Sequence, residues 1–136
     1  MPVLKNYHIV ISHSWSYSEH YNTIASWLNN ALYFTWSDYS VCCDKPLDTK
    51  TDSELKEKLK NRISNSSCVI VCSGMYATYS KWIDYEIDTA IDMGKPIIGV
   101  KPWGQERVPA KIQNNATVMV GWNSSSIIDA VRVYSL

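Results

Sequence analysis

Short continuous runs of apolar, largely β-branched residues alternate along this chain with segments of helical periodicity. No other feature constrains its fold as tightly. Tyr7-His8-Ile9-Val10-Ile11, Cys68-Val69-Ile70-Val71-Cys72, Pro96-Ile97-Ile98-Gly99-Val100 and Thr117 to Val120 are such runs, with a weaker one at about Tyr33 to Trp36. A strand that is apolar at every residue, rather than every second one, needs cover on both faces. Between the runs, Tyr21, Ile24, Ala25, Leu28, Ala31 and Leu32 recur at helical spacing behind Ser18 as a cap. Thr51-Asp52-Ser53-Glu54 has the form of a capping box ahead of Leu55, Leu59 and Ile63. A further helix is expected from about Lys81 to Met93, with Ser80 as N-cap and Gly94 as its stop, and Ser124 to Ser126 precede a last one. Strands alternating with helices imply an α/β protein: a flavodoxin-like, doubly wound parallel sheet of about five strands with helices on both faces. Ligands of such sheets bind beyond the carboxyl ends of the strands. A site therefore belongs in loops 12–17, 37–52, 73–80, 101–109 and 121–124.

No repeat or low-complexity stretch divides the 136 residues, so residues 1–136 read as a single domain. Thirteen cationic and thirteen acidic side chains cancel, which leaves no cation excess for a nucleic acid or an anionic membrane. The apolar runs stop far short of the roughly 20 residues that span a bilayer. Met1-Pro2-Val3-Leu4-Lys5 has no signal-peptide character, so a cytoplasmic protein with neither nucleic-acid nor membrane partners is expected. Cys42, Cys43, Cys68 and Cys72 lack metal-ligand spacing and read as structural thiols.

Absent motifs narrow the function. There is no GxxxxGK[ST] and no GxGxxG, which argues against P-loop and dinucleotide-fingerprint chemistry. A phospho-receiver needs an Asp after the central strand, where this chain has Cys72-Ser73-Gly74. His8, His13 and His20 have no zinc spacing, no metal is expected, and no nucleophile elbow occurs. His8, within a strand run, reads as a satisfied half-buried residue.

One carboxylate is out of place. At about 100° per residue, with Ile83 at zero, Ile87, Ala90 and Ile91 fall near about +40°, −20° and +80°. On the same wheel Trp82 and Met93 fall at roughly −100° and roughly −80°. Asp84, Asp88 and Asp92 lie at about +100°, about +140° and about 180°, at the edge of that apolar arc and beyond it. Glu86, at about −60°, lies inside it. An acid on an apolar face is costly unless it is paired, protonated or lining a cavity. Glu86 is thus either a site residue or a structural acid bonded to loop backbone, Lys81 or Lys111. Trp82, one turn earlier, is either a site residue or core packing.

These segments resemble the TIR-like family, in particular the bacterial branch related to Thoeris defence proteins, over nearly the whole chain. Tyr7-His8-Ile9-Val10-Ile11-Ser12-His13-Ser14 resembles the first-strand box of TIR domains, and Ser80-Lys81-Trp82-Ile83-Asp84-Tyr85-Glu86 is similar to their S-x-W-x-x-x-E element. Gly94-Lys95-Pro96-Ile97-Ile98-Gly99-Val100 and Gly121-Trp122-Asn123 resemble later elements of the branch.

The resemblance implies an enzyme that cleaves the nicotinamide–ribose bond of NAD⁺ as substrate, with no separate cofactor, and makes a cyclic or modified ADP-ribose signal in anti-phage defence. Its catalytic glutamate falls on Glu86. Ser12, His13, Ser14, Trp15, Asp38, Asp44, Tyr79, Ser80 and Trp82 are then candidates for holding the substrate, with Trp82 or Trp15 against one of its rings. Asp38 and Asp44 have turn residues as their plainer reading. The implied partners are NAD⁺, further copies of the chain, and an effector protein reached through the nucleotide signal. Two other readings stay open: a non-catalytic self-associating adaptor, and a nucleoside deoxyribosyltransferase-like N-glycosidase.

Overall fold

The computed structural model describes residues 6–12, 19–39, 52–72, 76–101 and 110–135. In chain order the elements are β1 (Asn6–Ser12), α1 (Glu19–Asn30), β2 (Thr35–Asp38), α2 (Asp52–Ser64), β3 (Cys68–Cys72), α3 (Tyr76–Asp92), β4 (Ile97–Val100), α4 (Ala110–Asn115), β5 (Val118–Val120) and α5 (Ser124–Tyr134). The five strands form one sheet in the order β2-β1-β3-β4-β5, parallel at every pairing. Helix α1 packs with α5, while α3 packs with both α2 and α4. Right-handed crossovers put the first pair on one face of the sheet and the other three on the opposite face. The expected doubly wound, flavodoxin-like α/β fold is the one observed.

The core follows from the continuous apolar runs. All five residues of β3 and all four of β4 are buried, as are Ile9, Val10 and Ile11 of β1. The outer strands β2 and β5 are only partly covered, as edges are. Gly99 of β4 is fixed by packing, because a Cβ there would run into the Met119 side chain and press on Ile112. Gly94 ends α3 with φ +69°, the left-handed turn that glycine makes at no steric cost. No described helix is long and apolar enough to cross a membrane.

Several local expectations are corrected. β2 runs from Thr35 to Asp38, two residues later than its apolar signal, because Tyr33 takes φ 54° in a turn. Arg132 of α5 holds that turn, donating to the carbonyls of Leu32 (2.8 Å) and Tyr33 (3.4 Å). Leu32 is accordingly not on α1's buried stripe but 80% exposed. α3 begins at Tyr76, so Ser80 is an interior residue of the helix rather than its N-cap. α5 is capped by Asn123, whose Oδ1 accepts from the Ser126 N–H at 2.8 Å, in place of the serines expected to do so. Finally, α4 is a helix with no counterpart in the sequence reading.

Candidate active site

In a 2-1-3-4-5 sheet the chain leaves β1 and β3 in opposite directions, which opens a crevice beyond their carboxyl ends. Ser12, the last residue of β1, pairs with Val71, so the rim of that crevice is set by Ser12 and Cys72. Of the residues expected to line it, Ser12 is placed at the rim by its backbone. His13, Ser14 and Trp15 lie outside the described residues, as does Asp44. Asp38 is not at the rim. It pairs with Ile9, three residues before the end of β1, which puts it about 10 Å below Ser12 along the strand. There it is exposed and engaged with a partner.

Cys72 adds no nucleophile to the rim. Complete burial pushes its thiol from 9.0 up to about 12, which suppresses the reactive thiolate. Cys68 is likewise buried and free of any disulfide. His8 stands four residues before the rim, half-buried, with Nδ1 3.2 Å from the Asn65 carbonyl oxygen and its ring stacked on Tyr39 at 4.4 Å. That is the satisfied structural histidine the strand pattern implied.

Helix α3 carries the remaining candidates. Tyr79, Ser80 and Trp82 occupy positions in its first two turns, and Glu86 follows in the third. Positions 79, 82 and 86 are spaced by three and four residues, so they share one stripe of the helix. Glu86 is 5% exposed. On the same buried face Ile87 and Ala90 are fully covered, and Thr89 is 8% exposed. Asp88 and Asp92 face solvent and Asp84 is half-buried.

The buried arc is thus rotated from the expected one. Ile91, placed inside it by sequence, is 47% exposed. Thr89, overlooked at roughly −120° on the wheel, is inside. The four buried positions centre near about −40°, so Glu86 lies within about 20° of the middle of the packed face rather than on its border. It is also deep along the helix, ten residues or about 15 Å beyond Tyr76. A carboxylate so placed has to be satisfied, and Glu86 is engaged rather than free.

Its neighbour Tyr85 fixes α3 against α2. The Tyr85 hydroxyl donates to the Lys56 carbonyl at 3.0 Å, and the Lys56 ammonium lies 5.7 Å from the centre of the same ring. Sequence reading passed over Tyr85 because its wheel position, at about −160°, is outside the apolar arc. A tyrosine on a helix flank beside a charged helix was the signal available.

The fold and site define a class: a doubly wound α/β domain with a buried glutamate on the helix that follows its middle strand. Within that class the chain belongs to the family of the Thoeris protein ThsB, TIR-like domain, whose family model matches residues 10–107. The matched span runs from β1 past β4 and includes every candidate site residue, so the domain has a defence-related TIR-like fold. No functionally curated protein matches the sequence.

Among solved structures, the chain is similar to the CMP N-glycosidase BcmB of Clostridium botulinum (TM-score 0.56, 12% identity), covering 93% of this chain and 99% of that one. It is also similar to a 3-dehydroquinate dehydratase-like protein from Bifidobacterium longum (TM-score 0.51, 13% identity, 95% and 94% covered). A third similar structure is a de novo designed Rossmann 2x3 protein (TM-score 0.51, 14% identity, 93% and 86% covered). At these identities the likeness is one of fold.

Proposed function

We propose that this TIR-like domain cleaves the nicotinamide–ribose bond of NAD⁺ and releases a cyclic or modified ADP-ribose signal in anti-phage defence. The observation that carries the proposal is Glu86: an acid centred on the buried face of α3, within a chain of the ThsB TIR-like family. Breaking the bond to ribose C1 leaves positive charge on the ring. A carboxylate held in a poorly hydrated setting stabilises that charge far better than one in water. Nicotinamide in NAD⁺ leaves as a neutral ring, so one carboxylate suffices. Glu86 takes the role of stabilising C1 and holding the ribose hydroxyls. The Ser12 to Trp15 segment, with Tyr79, Ser80 and Trp82 from the first turns of α3 and Asp44 from the segment after β2, takes the role of positioning the rest of the dinucleotide, while Asp38, about 10 Å below the rim, has no part in it.

The depth of Glu86 adds a condition. At 5% exposure a ribose reaches it only after the packing around it has opened. The isolated chain is therefore a slow enzyme, and assembly into larger particles accelerates it. The signal then acts on a separate effector protein.

A second reading shares the same bond chemistry. The fold of BcmB, described as a CMP N-glycosidase, hosts cleavage of a base from a nucleotide, so a pyrimidine nucleotide is the competing substrate class. Chromatographic detection of the released base separates the two. Nicotinamide from NAD⁺ with no cytosine from CMP supports the proposal, and cytosine without nicotinamide replaces it with the second reading.

A further inference from the structure

We infer that the last turn of α5 is a latch: Arg132 holds Tyr33 in a conformation that this residue would otherwise leave, so fraying of α5 and relaxation of the α1–β2 turn are one coupled event. The device lies at the amino ends of the strands, where Asn6 pairs with Thr35. It is away from the carboxyl-end crevice and rests on no part of the NAD⁺ proposal.

Glycines aside, Tyr33 alone among the described residues has a positive φ, at 54°. The left-handed region disfavours a residue with a Cβ by roughly 5- to 30-fold, and a bulky side chain there is an outlier. Tyr33 also opens the run Tyr33-Phe34-Thr35-Trp36, whose aromatic and β-branched residues favour an extended chain. Local preference therefore opposes the observed turn. Side-chain packing does not hold it either, since Leu32 is 80% and Tyr33 82% exposed.

What holds the turn comes from 100 and 99 positions away in sequence. The Arg132 guanidinium donates through Nη2 to the carbonyls of Leu32 at 2.8 Å and Tyr33 at 3.4 Å. It also lies 5.5 Å from the centre of the Phe34 ring, and Phe34 stacks on Tyr7 of β1 at 5.2 Å. One arginine thus grips three successive residues. The chain on either side is pinned separately, because the Trp36 indole N–H donates to Asn29 Oδ1 at 2.8 Å and ties β2 to the end of α1. Relaxation is accordingly confined to the residues between them, Tyr33 included.

The anchor is itself close to a helix end. Arg132 is exposed in the last turn of α5, which the Ser135 N–H closes by donating to the Val131 carbonyl at 3.1 Å. Helix ends open more readily than helix middles, and opening this one carries Arg132 away from the turn. Coupling is reciprocal, so the strain at Tyr33 pulls on the end of α5 by the same factor with which α5 restrains Tyr33.

The test is NMR on the full chain, on Arg132→Ala and Tyr33→Gly, and on Val133→Ala as a control whose side chain is exposed beside Arg132. The HN–Hα coupling and Cα chemical shift report the conformation of residue 33, and hydrogen exchange at the Ser135 amide reports the end of α5. The wild type is expected to show a left-handed Tyr33, and Arg132→Ala to move at least about half of the molecules to an extended one. Tyr33→Gly removes the strain, so its Ser135 amide is expected to exchange at least about threefold more slowly than in the wild type. Val133→Ala should change neither readout. An extended Tyr33 in the wild type, a Tyr33 that stays left-handed in Arg132→Ala, unaltered Ser135 exchange in Tyr33→Gly, or an equal response from Val133→Ala would each overturn the inference.

Discussion

Tyr85 and Lys56 join α3 to α2 twice over, through a 3.0 Å hydrogen bond from the tyrosine hydroxyl to the lysine carbonyl and through the lysine ammonium 5.7 Å from the ring centre. The join sits one residue before Glu86, about 100° around the helix from it, so it ties α3 to α2 beside the buried face that carries the glutamate.

Removing the hydroxyl should loosen that setting. Tyr85→Phe leaves the α2 carbonyl to water and is expected to cost about 0.5–1.5 kcal/mol in urea unfolding. With Glu86 catalytic, NAD⁺ turnover should fall by more than this small loss of folded protein explains. A change in stability with turnover per folded molecule intact would dissociate the join from the site.

Glu86 is buried and engaged, so removing its carboxylate alone leaves the group it pairs with unsatisfied. Glu86→Leu is therefore expected to cost about 1–3 kcal/mol in urea unfolding. A variant that unfolds at the same or higher urea concentration would contradict this and mark the carboxylate as a burden on the fold.

Close packing of β4 against β5 and α4 depends on Gly99. Gly99→Ala forces Met119 and Ile112 aside and is expected to cost about 1–3 kcal/mol in urea unfolding. Met119→Ala in the same background should recover part of that loss, since it removes the atoms the new methyl meets.

Cys72 predicts a loss of stability in alkali. Its thiol titrates at 9.0 when exposed and at about 12 when buried, so the folded protein holds the proton more tightly. That contribution is complete below pH 9 and falls away as pH rises towards 12, with a slope of up to about 1.4 kcal/mol per pH unit. Cys72→Ala should show a shallower decline than wild type over this window, as read from urea unfolding at stepped pH. Equal slopes would mean that the thiol is not held protonated by burial.

The fold was legible because its strands are continuous. Cys68 to Cys72 has no polar residue to betray a solvent face, and all five prove buried. Gly94 marked the end of α3 because only that residue turns left-handed there without cost. What was not legible had no pattern to read. In α4, Ala110–Asn115, the one large apolar residue is Ile112, too little to show a period although it is fully buried. β2 was displaced by the Tyr33 turn, which a residue on another helix, Arg132, holds in place from 99 positions away.

Glu86 stood out as an acid among apolar neighbours. An apolar arc centred on Ile83 includes Ile91 and excludes Thr89, whereas the centre of the buried face is fixed by packing against α2, α4 and β3. The substrate-holding roles of His13, Ser14, Trp15 and Asp44 rest on family resemblance, because loop residues carry no periodicity that would assign them.

The decisive measurement is mass spectrometry of NAD⁺ incubated with concentrated wild-type protein and with Glu86→Gln, both shown to be folded to the same extent. Nicotinamide and an ADP-ribose product from the wild type, with at least about a hundredfold less from the variant, is the expected result. Equal turnover by the two proteins would remove Glu86 from the chemistry and contradict the assignment of this site.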